Sequence, residues 1–128
     1  MGAKWIKIST LYFLLGVAFG LYMHATVALQ WAATHAHINV VGWLTTVAIG
    51  VIYSVYPKAG NSALGKAHFW LYNIGLPILL IGMLIIQPVV GAPLAVIHIC
   101  VWLGGLALAL SIIIFIINVF QNVREGNV

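Results

Sequence analysis

The sequence predicts an all-α membrane protein: one domain over residues 1–128, a bundle of four transmembrane helices with both termini cytoplasmic. Three observations predict it. Of 128 residues, 64% are hydrophobic and 5% are charged, whereas a soluble domain carries about a quarter charged residues. The apolar residues fall into four runs of about 20, the length at which a helix crosses a bilayer. The five Lys/Arg residues bracket those runs on one side only.

The first span is expected at 8–29, preceded by Lys4 and Lys7. It is longer than the apolar core of a signal peptide and lacks a clear small-x-small cleavage site, so it is expected to stay in the protein. The second span is expected at 35–55 and opens on His35 and His37. In the following loop, 56–66, the residues Lys58, Ala59, Gly60, Asn61 and Ser62 read as a turn, and Lys66 closes it. The third span is expected at 67–87, with Pro77, Asn73 four residues before it and Gly75 nearby; membrane helices tolerate such prolines. Pro88, Gly91 and Pro93 punctuate the last loop, and the fourth span is expected at 94–118, followed by Arg124.

With every basic residue on one side, the positive-inside rule puts both termini in the cytoplasm, as for a multi-pass protein of a bacterial inner membrane. Trp5, Tyr53, Tyr56, Phe69 and Trp70 fit an inner aromatic belt, and Tyr22 and Trp31 an outer one. The lone Cys100 has no partner for an internal disulfide. The net charge of +4 comes from scattered residues, which argues against nucleic-acid binding. The sole acid, Glu125, falls in a polar tail. No apolar run therefore carries a carboxylate, which argues against a proton-coupled pump.

Histidine occurs as often as Lys and Arg combined, five times. His24, His35, His37 and His98 are expected at similar depth near the outer surface, and only His68 on the cytoplasmic side. Imidazoles inside a span are costly without partners, so a shared level points to a metal or cofactor layer. His35 and His37 lie two apart, about 200° around a helix. They cannot chelate one ion from the same face, but can offer one ligand to each of two sites, the second supplied by a neighbouring copy. Gly16, Gly20 and His24 form a stripe at four-residue spacing that lets a backbone or flat macrocycle come close. Asn39 and Gly42 follow His35, and Trp102 and Gly105 follow His98, at i+4 and i+7. The blander readings are interfacial polarity for His98, plain helix packing for His24 and an interface anchor for His68. Met23 and Met83 read as apolar filler rather than soft ligands.

The stretch His35-Ala36-His37-Ile38-Asn39-Val40-Val41-Gly42-Trp43, continuing to Tyr53 and Pro57, resembles the haem-ligand helix of haem-copper oxidase subunit I and of the nitric oxide reductase large subunit. Together with His68-Phe69-Trp70-Leu71, Asn73, Gly75 and Pro77, it looks closer still to short four-helix homologues of subunit I. The resemblance covers about half the chain. It implies His35 and His37 as axial ligands of haem b between adjacent protomers, and a homotrimer imitating the pseudo-threefold arrangement of subunit I. His68 and Asn73 gain weight from it without a role. The chain departs from the large enzymes in lacking a copper-site helix motif and a membrane carboxylate, which counts against oxygen reduction coupled to proton pumping.

Three functions are therefore open. The first is a haem-b membrane protein that carries electrons to or from an unidentified redox partner; two imidazoles leave its iron six-coordinate and low-spin. The second is an enzyme in which His24 and His98, with a histidine of the second span, hold copper or leave a haem open to O2 or NO. The third is a non-redox scaffold or assembly protein whose histidines only hydrogen-bond between helices.

Overall fold

Four stretches of helix are long and apolar enough to cross a membrane: Gly2–Thr26, Leu29–Val55, Ala63–Ile85 and Leu94–Asn122. The computed structural model describes residues 1–124, and no strand occurs among them; the expectation for Glu125 lies outside the described residues. Helix α1 (Gly2–Thr26) leads through a 3-10 turn, Leu29–Trp31, into the second span. That span is composite: α2 (Ala32–His37), a π-helical segment (Ile38–Thr45) and α3 (Thr46–Val55). A short α4 (Pro57–Asn61) turns the chain into α5 (Ala63–Ile85), and a 3-10 turn, Pro88–Val90, leads to α6 (Leu94–Asn122).

The bounds correct the expected ones in several places. The first span starts at Gly2 rather than at 8, because Trp5 and Ser9 are buried and the helix continues under them. It stops at Thr26, where Val27 takes a left-handed conformation (φ 53°). Ala28 N then donates to Met23 O (3.0 Å) and Val27 N to His24 O (3.4 Å), closing the helix as a Schellman turn. The second loop is not a simple turn. Pro57 starts a helical turn, a position where its missing N–H costs nothing, and Ser62 then caps α5 by accepting from Gly65 N (2.9 Å). The fourth span runs on past its expected end at Asn118 to Asn122, where Asn122 Nδ2 donates back to the fully buried Asn118 (2.8 Å).

Glycines zip the helices into two antiparallel pairs. In the first pair, Gly2 of α1 meets Ser54 and Gly50, Gly50 meets Ile6 and Trp5, Gly42 meets Tyr12, Gly16 meets Asn39, and Gly20 meets His35. In the second, Gly75 and Gly82 of α5 interleave with Gly104, Ala107 and Val101 of α6. Polar contacts tie the pairs together. Trp31 Nε1 donates to Leu84 O (3.1 Å), Thr34 Oγ1 to Met83 O (3.2 Å), and Tyr72 OH to Val41 O (2.7 Å). The start of α1 and the last turns of α6 share one end of the bundle: the N-terminal amine reaches Asn61 Oδ1 (3.4 Å), and Asn118 of α6 meets Ser62 (2.9 Å).

The glycine contacts are testable. A Cβ on Gly104 would overlap the Leu79 backbone, whereas at Gly105 the nearest atom, Leu79 Cδ1, is 4.0 Å away. Gly104→Ala is expected to cost about 1–3 kcal/mol by overpacking, and Gly105→Ala close to nothing, in unfolding titrations of the detergent-solubilised protein.

Candidate functional site

The histidines divide between two ends of the bundle. At the end opposite the termini, α2 holds His35 and His37 in one turn, and their rings go to different surroundings. His35 is half-buried and lies over Gly20, with Nε2 2.8 Å from where a Cβ on that glycine would sit. Its Nε2 is 3.1 Å from Gly16 O. A carbonyl only accepts, so the proton is on Nε2 and the lone pair on Nδ1. Asn39 packs on Gly16 and returns its Nδ2 to His35 O (2.9 Å). The glycine stripe of α1 is thus occupied by the chain's own His35 and Asn39 rather than by a neighbour or a macrocycle.

His37 is the converse case. Its Nδ1 is 2.9 Å from Ala33 O on its own helix, so Nδ1 carries the proton and Nε2 keeps its lone pair. The ring lies in a shallow surface hollow of about 280 Å³ lined by Ala36, His37, Val40 and Val41. One nitrogen is thus anchored to a backbone carbonyl and the other is free, an arrangement that can serve a metal-ligating histidine.

The π-helical segment begins directly after His37. Its wider turns leave carbonyls that side chains take up: Thr45 Oγ1 donates to Val40 O (2.8 Å) and Thr46 Oγ1 to Val41 O (3.1 Å), each five residues back. Val41 O also accepts from Tyr72. Segments of this kind are uncommon and often adjoin functional sites. His24, on α1, and His98, on α6, are exposed, as is Trp102 beside His98. They do not join the α2 histidines: among the described residues no group of three His, Cys, Asp or Glu side chains is placed to hold a metal ion.

His68 corrects its sequence reading as an interface anchor. It is 0% exposed, as are Trp5 and Asn118, and Tyr53 is 1% exposed. Trp5 and Tyr53 therefore belong to the core rather than to an inner aromatic belt, while Trp70, Lys4 and Lys66 remain exposed at that end. Tyr53 OH lies 2.8 Å from His68 Nδ1. Asn118 Nδ2 donates both to Tyr53 OH (3.1 Å) and to Ala59 O (3.0 Å), and Asn122 and Ser62 donate to its Oδ1 (2.8 and 2.9 Å). Tyr53 thus accepts from Asn118 and gives its own proton to His68 Nδ1, which leaves the His68 proton on Nε2. That nitrogen and Trp5 Nε1 are buried without a hydrogen-bond partner, and their rings lie 4.8 Å apart. Phe115 covers the other side of His68, with ring centroids at 4.9 Å. The sequence signal for this cluster was the pair of polar residues, His68 and Asn118, at the same end of two adjacent apolar runs.

No protein-family model, curated protein or solved structure matches the chain. The site therefore stands on its own geometry.

Removal of the Tyr53 hydroxyl leaves the His68 ring with neither nitrogen bonded. Tyr53→Phe is expected to destabilise the fold by about 1–3 kcal/mol, the cost of an orphaned buried polar group. Adding His68→Leu should cost less than the sum of the two single changes, because it removes the group that Tyr53→Phe strands. Equilibrium unfolding of the four proteins of this cycle measures the coupling.

Proposed function

We propose that the protein is a haem-b-binding, multi-pass protein of a bacterial cytoplasmic membrane, with both termini in the cytoplasm, that transfers electrons. The observation that carries this reading is His37: anchored through Nδ1 to Ala33 O (2.9 Å), with Nε2 unengaged at a small apolar hollow on the outward side of the second span. The chemistry of this donor fits an axial haem ligand, and the alanine and valines around it fit an apolar macrocycle. His35 fits less directly, since its Nε2 is held by Gly16 O. Contributed by the neighbouring protomer of a homotrimer, His35 would hold the same haem through Nδ1, or through Nε2 if it gave up the Gly16 bond.

Bound by two imidazoles, a haem supplies a one-electron iron centre without an open coordination position. The chain's part is to hold and orient. Ala33 O fixes the His37 ring, and Asn39 steadies the α2 backbone at His35 O.

A second reading, in which the histidines act only as helix glue, draws on the His35 bond to α1; interhelical hydrogen bonds of this kind contribute about 0.6–2 kcal/mol. Copper at His24 and His98 has no such support within one protomer, because among the described residues no three His, Cys, Asp or Glu side chains are grouped to hold a metal ion.

Oxidised and reduced absorption spectra of the detergent-purified, haem-replete protein separate these readings. Electron transfer predicts a six-coordinate haem spectrum indifferent to CO, abolished by His37→Ala and by His35→Ala. Absence of a Soret band sinks the haem reading. Loss of stability in His35→Ala with the spectrum intact assigns that residue to packing. Native mass spectrometry is expected to give a trimer. For the topology, a fluorescent protein fused at the C-terminus is expected to mature and fluoresce, whereas a periplasmic phosphatase fused there stays inactive.

A further inference from the structure

Because α1 packs on the second span and α5 on α6, an apolar groove of about 480 Å³ opens between α1 and α5. Ile8, Leu11, Leu15 and Phe19 form its α1 wall, and Pro77, Ile81 and Leu84 its α5 wall. The walls carry no charged side chain. At the end of the bundle that holds the termini, both walls run into lysine. On α1, Ile8, Leu11 and Leu15 follow Lys4 at i+4, i+7 and i+11; on α5, Trp70, Asn73, Pro77 and Leu84 follow Lys66 at i+4, i+7, i+11 and i+18. These intervals keep each lysine on the stripe of its helix that faces the groove. Lys4, Lys66 and Trp70 are all exposed.

We infer that this groove binds one acyl chain of an anionic phospholipid, whose phosphate sits between Lys4 and Lys66; the inference rests on the membrane-spanning reading but not on haem. Three observations carry it. The first is length: residues 8 to 19 span about 16 Å of helix at 1.5 Å per residue, close to half of the ~30 Å hydrocarbon core. A groove of that length takes the tail of a lipid from one leaflet, the leaflet on the lysine side. The second is the aromatic: Trp70, exposed one turn from Lys66, sits where an indole meets the headgroup region. The third is charge. The chain contains a single acidic residue, so a second copy seated in the groove brings almost nothing to balance two lysines, and an apolar partner leaves them unpaired. A phosphodiester supplies the countercharge and the tail in one molecule.

The test uses the full chain in vesicles of equimolar phosphatidylglycerol and phosphatidylcholine. The protein is extracted in mild detergent, and the lipid that co-purifies is quantified. The wild-type protein is expected to retain phosphatidylglycerol in preference to phosphatidylcholine. The Lys4→Gln/Lys66→Gln pair is expected to lose about 25-fold of that preference, at about fivefold per lysine. Ile81→Trp, which fills the groove from an exposed position, is expected to retain neither lipid. Equal retention of the two headgroups by the wild type, or undiminished lipid in Ile81→Trp, overturns the site. So does a wild type without bound lipid whose cross-linked oligomer is broken by Ile81→Trp, because the groove then belongs to a second copy. Flotation of the same vesicles reads insertion separately. A chain that floats but shows no preference overturns the lipid site alone, whereas a chain that does not float overturns the membrane reading with it.

Discussion

Glycine contacts make two helix pairs, and the four spans become one bundle chiefly where Trp5, Tyr53, His68 and Asn118 meet. Each comes from a different span, and each is almost completely removed from solvent. In an apolar setting a polar side chain gains most from a partner inside the protein, because no water competes for it. Asn118 satisfies Tyr53 and the Ala59 carbonyl at once, so α6 is tied both to the second span and to the connection before α5. The His68 ring packs between Trp5 and Phe115. This cluster joins the four spans at the end of the bundle where α1 begins.

The opposite end is organised by different chemistry. From there toward its middle the second span abandons regular α-helix for a π-helical segment, and its extra carbonyl capacity is absorbed by Thr45, Thr46 and Tyr72. The two histidines just before that segment are held in opposite tautomers by two carbonyls, Gly16 O across the helix pair and Ala33 O along the helix. One ring is thereby enlisted in packing against α1, and the other keeps Nε2 unengaged. Residues of one type, two positions apart, acquire different chemistry from the acceptors near them.

Much of the architecture was legible in the linear pattern. Apolar runs and their lysine flanks located four spans, and the Gly16–Gly20 spacing marked a close approach. What filled that approach was not legible, since a small-residue stripe states how near a neighbour can come without naming it. Trp5 and Tyr53 were misplaced for a related reason. Aromatic residues near span ends belong to interfacial belts when they face outward and to the core when they face inward. An apolar run on nearly all sides carries little of the contrast that distinguishes those faces. His68 was misread on the same ground: its neighbours Phe69 and Trp70 suggested an interface, yet it lies on the side of α5 turned toward Trp5 and Tyr53.

Length and hydropathy belong to each segment separately, so they could be read residue by residue: four apolar helices and their order. The tautomers of His35 and His37, the burial of His68, the π-helical segment and the groove between α1 and α5 depend on contacts between residues far apart in the chain. Those contacts are set by which helix faces meet, and in a nearly uniform apolar sequence that choice is made by glycine clearance and a handful of hydrogen bonds, which take effect only once the helices are packed.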